Sequence, residues 1–194
     1  TPLMKKYFLI LLSSLLLINC ASAASNTVTN RPDENSMPGD SWTNYSEGLH
    51  YKNLAIASKD PREKNIYLER SIELLEKAAA ADEESGRVYY HLAEAYYLKG
   101  ESKKSIDNAE LSIRKDAGFY PPYEKMYTIH MERKEYDLAA AVLERYLAEE
   151  PDDVNALYSL GIHYYRYIND GQAALKKFET ITRLSTTKDI AHDY

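Results

Sequence analysis

The sequence predicts an all-α fold, an α-solenoid of about three to four stacked helix–turn–helix units. Three observations carry this. A layout of large, small and aromatic residues returns every 34 positions between residues 71 and 164. Leu, Ala, Glu, Lys and Tyr dominate the second half of the chain, a helix-rich composition. Only seven glycines and seven prolines occur in 194 residues, and Pro151 stands where a helix should stop, since proline cannot continue the hydrogen-bond ladder. Apolar residues make up 44%, enough for a packed core. A net charge of −6 gives no basic footprint for nucleic acid. Eighteen tyrosines against three phenylalanines point to aromatic surfaces that also tolerate water at one edge.

Residues 1–23 read as an export signal. In MKKYFLILLSSLLLI, residues 4–18, two lysines precede an apolar run from Tyr7 to Ile18. A short positive region followed by about 7–15 apolar residues marks export, and the run is shorter than the roughly 20 residues of a membrane span. Thr1–Leu3 stand upstream of Met4, the expected initiator. Two processing routes stay open. Ala21-Ser22-Ala23 fits cleavage to a soluble periplasmic or secreted protein beginning at Ala24. Leu17-Ile18-Asn19-Cys20 instead resembles a bacterial lipoprotein box, which implies lipidation of Cys20 and membrane anchoring facing the periplasm; Asn19 stands where that box usually has Gly, Ala or Ser. Cys20 is the one cysteine, so no disulfide can form within the chain. Residues 24–41 are rich in Asn, Ser and Pro and lack apolar periodicity, which predicts a flexible linker. Loss of Lys5 and Lys6 leaves the mature chain more acidic, so charge alone does not draw it to anionic lipid.

The repeat domain is expected at residues 42–186. Residues 44–58 form its first helix, with Trp42 near the start. A turn enlarged by KDPREKN leads to a helix from about Glu63 to Ala81. First helices then follow at Tyr89-Leu92-Ala93-Tyr96, Tyr123-Met126-Tyr127-His130 and Leu157-Leu160-Gly161-Tyr164, each 34 residues after the last. Second helices carry Ser71/Leu75/Ala78, Ser105/Ala109/Ser112 and Ala139/Leu143/Tyr146 at the same period. In the last unit Ala174, Phe178 and Ile181 take these places if the turn holds one extra residue. Tyr127 and Tyr146 are bulky at small positions, which predicts a wider helix pair there. Residues 187–194 are expected to be a tail or the start of a capping helix cut short, with an apolar edge that could meet a second copy in a homo-oligomer.

With LYSLGIHY matching L-x-x-L-G-x-x-Y, this register resembles the tetratricopeptide repeat family over residues 42–186. The resemblance implies that first helices line a concave face and that the protein is a non-enzymatic interaction scaffold. By the same resemblance, the groove residues are Tyr90, Glu94 and Tyr97, then Glu124, Thr128 and Met131, then Tyr158, Ile162 and Tyr165, with Arg87 and Arg166 at the rim. Each triplet is spaced to form one helical stripe. Tyrosines with a few carboxylates suit an extended or helical peptide with apolar anchors and basic residues. The version of the family that binds a chaperone's C-terminal carboxylate uses Lys and Asn at such positions; Tyr90 and Glu94 here argue against that specificity. Exported members of the family imply a protein partner in the cell envelope.

The residues that carry chemistry elsewhere are missing. His50, His91, His130, His163 and His192 show no H-x₃-H or H-E-x-x-H spacing, so neither a metal site nor a cofactor is expected. No Gly-rich phosphate loop and no G-x-S-x-G occurs. His130 is read as a packing residue. The alternative from another class is a periplasmic component that holds a small molecule or amphiphile in the tyrosine-lined groove and works with a transporter.

Overall fold

The computed structural model describes residues 39–192, with side chains through residue 186. The expected leader, Cys20 and most of the linker lie outside the described residues. Among the described residues eight α-helices run in hairpin pairs: α1 (Gly39–Ala57) with α2 (Pro61–Ala81), α3 (Gly86–Leu98) with α4 (Ser102–Lys115), α5 (Tyr120–Glu132) with α6 (Tyr136–Glu149), and α7 (Val154–His163) with α8 (Gly171–His192). The fold is the all-α solenoid of stacked helix pairs, here four. Successive first helices α1, α3 and α5 touch, and each second helix also packs on the first helix of the next pair. Among the described residues no helix is long and apolar enough to cross a membrane.

The connections between pairs repeat atom for atom. Asp82, Asp116 and Glu150 stand 34 apart, and the N–H of each closes the last turn of its helix on Ala78, Ser112 and Tyr146 at 3.0 Å. Within pairs, Glu101 N–H donates to Tyr96 O and Glu135 N–H to His130 O, both at 2.9 Å, around Gly100 and Lys134 in the left-handed region. These are Schellman closures, which satisfy helix-end carbonyls. In the last pair Asp170 N–H reaches Tyr164 O at 3.0 Å across one more residue. The extra residue is taken up by a π-helical segment, Tyr164–Ile168, before the left-handed Asn169. Asp170 then caps α8, accepting from the N–H groups of Gln172 and Ala173 at 3.0 and 2.9 Å.

The first hairpin differs from expectation. Its turn is only Ser58–Asp60, not an enlarged KDPREKN loop. Pro61 occupies the first helical position, where its missing N–H is no loss, and Asp60 accepts from Arg62 N–H at 2.8 Å. The added residues lengthen both helices instead. Ser71 Oγ donates to Gly48 O at 2.8 Å across 23 residues, whereas Ser105 Oγ donates to Ala93 O at 2.7 Å across 12. The excess of 11 residues is about three α-helical turns, so the hairpin grows without changing which faces meet. At the other end, α8 runs unbroken to His192, so residues 187–192 extend that helix rather than open a separate one.

Close approach within a pair depends on small residues. A Cβ at Gly48 would sit 2.8 Å from a Leu75 carbon, and one at Gly161 would sit 2.7 Å from the Phe178 ring. Ala93 is fully buried at the matching place on α3, and Ala139 is fully buried at the small place on the second helix α6. The third pair meets its bulky residues by redirecting them. Tyr127 reaches forward to His163 of the next pair, and Tyr146 is buried between Tyr120 and Tyr123, with ring centres at 4.7 and 5.3 Å. Helices α5 and α6 approach closely over less of their length than α3 and α4, which are equally long. Enlarging Ala93 to Leu is expected to lower the unfolding free energy by about 1–3 kcal/mol in urea denaturation. Leu138→Ala, at an exposed position on α6, should stay within about 0.5 kcal/mol of the parent.

Candidate functional site

The face formed by the first helices is assembled from α1, α3, α5 and α7, and its chemistry changes along the stack. Between α1 and α3 it is ionic. Lys52, nearly inaccessible to solvent, places its Nζ 2.5 Å from Glu94 Oε2 and 2.9 Å from His91 Nδ1, and His91 Nδ1 is 2.9 Å from the same carboxylate oxygen. Nδ1 cannot accept from Lys52 and donate to Glu94 together. A neutral ring protonated on Nε2, assigned from these distances, lets Lys52 donate to both partners and leaves Nδ1 facing Glu94 Oε2 without a proton between them. Burial holds the His91 imidazole below its ordinary value of 6.5, opposed by its contact with Glu94. Burial acts to raise the Glu94 carboxyl, but the His91 ring, once it carries a proton on Nδ1, and the Lys52 ammonium outweigh it and hold it at about 2. Tyr45 and Tyr90 flank the imidazole at ring distances of 5.6 and 5.0 Å.

Between α3 and α5 the face is aromatic. Tyr90 lies half-buried, edge-on to Phe119 at 5.4 Å, and the Arg87 guanidinium sits over the same Phe119 ring at 5.6 Å. Burial and the neighbouring Glu94 push the Tyr90 hydroxyl well above the usual phenol range. Tyr97 donates to Glu132, and Lys125 Nζ stands 4.5 Å over its ring. Glu124 is exposed, while Thr128 and Met131 are half-buried; the Thr128 hydroxyl donates back to Glu124 O at 2.9 Å.

Between α5 and α7 the centre is His163, fully buried. Its Nε2–H donates to Tyr136 O at 2.9 Å, which leaves Nδ1 to accept from the Tyr127 hydroxyl at 3.1 Å. Burial lowers its pKa, partly offset by the Tyr136 carbonyl. Tyr167 stacks on Tyr136 at 5.1 Å. Tyr158 is 39% exposed and lies 6.1 Å from Phe178; Ile162 is half-buried; Tyr165 is 50% exposed with exposed Arg166 beside it on the π-helical segment.

The residues expected to line the groove thus divide into three groups. Glu94, Tyr97, Tyr90 and Arg87 are engaged in the joints between pairs, Tyr158, Tyr165, Arg166 and Glu124 present free area, and Thr128, Met131 and Ile162 are half-buried. Sequence reasoning did not single out Lys52, Tyr45, Phe119 or Tyr136, and it considered His91 and His163 only as metal ligands. Lys52 carried no periodic signal because its helix sits 11 residues out of register. His163 was detectable as the polar residue two places after the small Gly161, on the buried side of α7.

A stack of helix pairs sharing one continuous face is an α-solenoid scaffold, a class whose work is to hold other macromolecules. A tetratricopeptide repeat model matches residues 68–118 and 128–187, more than half of the chain. The chain belongs to the tetratricopeptide repeat family, whose members are generally protein–protein interaction scaffolds and typically non-catalytic. A search of curated proteins gives no match. Among solved structures, one of MamA is similar at 22% identity and a TM-score of 0.58, covering 78% of this chain and 76% of that one. A second MamA structure is similar at 21% identity and 0.58, covering 80% and 84%. The TPR2B domain of yeast Sti1, in a complex with pHsp70, is similar at 16% identity and 0.50, covering 77% and 99%. These likenesses are likenesses of fold.

Both buried imidazoles bind fewer protons folded than unfolded just below their ordinary value of 6.5, so stability falls as pH drops through that region. Glu94 adds a loss only at lower pH, as its folded value of about 2 is approached from 4.5. His163→Gln is expected to shrink the decline in unfolding free energy between about pH 7 and pH 5. Denaturant titrations across that range check it; an undiminished slope would take His163 out of the account.

Proposed function

We propose that the protein is a non-catalytic scaffold of the bacterial envelope, held to a membrane by lipid on Cys20, that binds an extended segment of a partner protein along its first-helix face. The observation that carries the binding reading is the pair of exposed tyrosines, Tyr158 and Tyr165, with Arg166 alongside, on the same helix series as the engaged Tyr90 and Tyr97. Tyr and Arg are the side chains that most often anchor protein interfaces, because they offer large contact area with few torsions to freeze. Glu124 adds a carboxylate for a basic residue of the partner. The apolar run at residues 7–18, the lipoprotein-like segment around the one cysteine, and the Asn/Ser/Pro-rich linker after it support the envelope location.

Photo-crosslinkers placed at Tyr158 and Tyr165 in producing cells should yield adducts with one common protein, and one at Leu138 on α6 should not. Against that partner, Tyr158→Ala with Tyr165→Ala is expected to weaken affinity about tenfold or more. Adducts that arise equally from Leu138, or an unchanged affinity, would remove the groove assignment. Anchoring is tested separately: a palmitate analogue should label the parent and leave Cys20→Ala unlabelled, and a soluble mature form beginning at Ala24 would end the lipoprotein reading.

A further inference from the structure

We propose that Lys52, His91 and Glu94 form a pH-sensitive latch, closed at neutral pH, that holds the first helix pair against the second on the first-helix side. This goes beyond binding, since it concerns the shape of the face a partner meets.

The geometry gives the cluster a place where it can act. Lys52 comes from α1, and His91 and Glu94 come from α3, so the three groups bridge the joint between the two pairs. On that side α1 and α3 touch only sparingly. The second-helix side of the same joint is different. There α2 meets α3 through Leu75, Ala78, Ala79, Val88, Leu92 and Ala95, and Tyr96 donates to Glu76 Oε1 at 2.6 Å. A joint with an apolar core on one side and an ionic cluster on the other is built to hinge. Loss of the cluster removes the polar tie between α1 and α3 and leaves Tyr45 as the α1 residue in the shared core, while α2 stays docked.

Proton balance sets the direction. With His91 neutral, one ammonium bridges one imidazole lone pair and one carboxylate, and the charges cancel. Protonation puts a proton on Nδ1, which then donates to Glu94 Oε2, but Lys52 loses that acceptor and faces a second cation 2.9 Å away. One carboxylate then serves two cations, and Arg87 on α3 adds positive field at the same ring. The other groups around the imidazole, Tyr45 from α1 and Tyr90 from α3, remain neutral far above this range and supply no compensating charge. Burial already disfavours the imidazolium in the closed joint. An open joint returns His91 to water and its ordinary value of 6.5, so acid shifts the population towards opening. Glu94 stays ionised through this window, because its carboxyl is held at about 2.

Hydrogen exchange of the full mature chain at about pH 7.5 and about pH 5.5, corrected for intrinsic rates, tests the latch. Protection of residues 45–57 is expected to fall by up to about tenfold per pH unit below the imidazole's ordinary value, as one coupled proton requires. Protection of α5 and α6 should hold. His91→Gln, whose amide oxygen still accepts from Lys52, should keep neutral-pH protection and lose the acid response; His163→Gln should retain the response. An acid response that persists in His91→Gln, or none in the parent, overturns the proposal. If His91→Gln opens at both pH values, an NMR titration of the parent's His91 ring decides: titration at or above 6.5, or out of step with loss of α1 protection, also overturns it.

Discussion

Everything in this stack depends on the contact between the second helix of one pair and the first helix of the next. No pair can bury its apolar face alone, so each neighbour completes the other's core. The contact has an apolar body and a recurrent polar tie. Glu76, Glu110 and Glu144 stand 34 residues apart on α2, α4 and α6. Tyr96 donates to Glu76 at 2.6 Å and Tyr164 to Glu144 at 2.5 Å, each across 20 residues. The middle tie departs from this because His130 replaces the tyrosine and turns to Glu135 of its own pair at 2.7 Å. Glu110 is taken over by Arg145 of α6 through two bonds of 2.9 Å. The carboxylate is kept and its partner moves from the first helix to the second, so the tie survives a change of residue.

These ties also explain the tyrosine-rich composition. Phenylalanine fills the same volume but has no hydroxyl for the far end. Tyr96 and Tyr164 reach glutamates, Tyr146 reaches Asp153 at 3.0 Å, Tyr123 reaches Ala117 O at 3.0 Å, and Tyr127 reaches His163. Each ring packs in a joint while its tip meets a polar group near the helix ends. A buried hydroxyl without a partner would cost more than the ring gains from it. The water-tolerant edge that the composition suggests is therefore mostly a protein-tolerant edge.

How much of this the sequence reveals follows from where each signal resides. The period, the turns and the small positions are local, and Gly161, Ala93, Pro151 and the extra residue before Asn169 are all readable from spacing. Pro61 misled because proline reads as a breaker within a helix and as a starter at its first position, and only the Asp60 cap distinguishes the two. The helical stripe Tyr90, Glu94, Tyr97 correctly identifies residues of one face, but spacing cannot say what stands opposite. Lys52 and Glu132 lie on other helices, 42 and 35 residues away. Whether a carboxylate faces a groove or closes a joint depends on those distant partners, and one helix does not contain that information.

The joints along the first-helix side are consequently unlike in kind. The first relies on charges whose balance changes with one proton, and the later ones rely on ring contacts around Tyr90, Phe119, Tyr127 and His163. Ring contacts respond weakly to salt, whereas an ionic cluster with part of its surface exposed to solvent does respond. Buried ion clusters add little net stability over apolar packing, so Lys52, His91 and Glu94 are better understood as setting the angle of a joint than as strengthening it. Adjustability is then concentrated at the end formed by α1 and α2, while the exposed Tyr158 and Tyr165 sit on the end whose joint is closed by a fully buried imidazole. On the proposed reading, a partner meets one end of the face while a single proton adjusts the joint at the other.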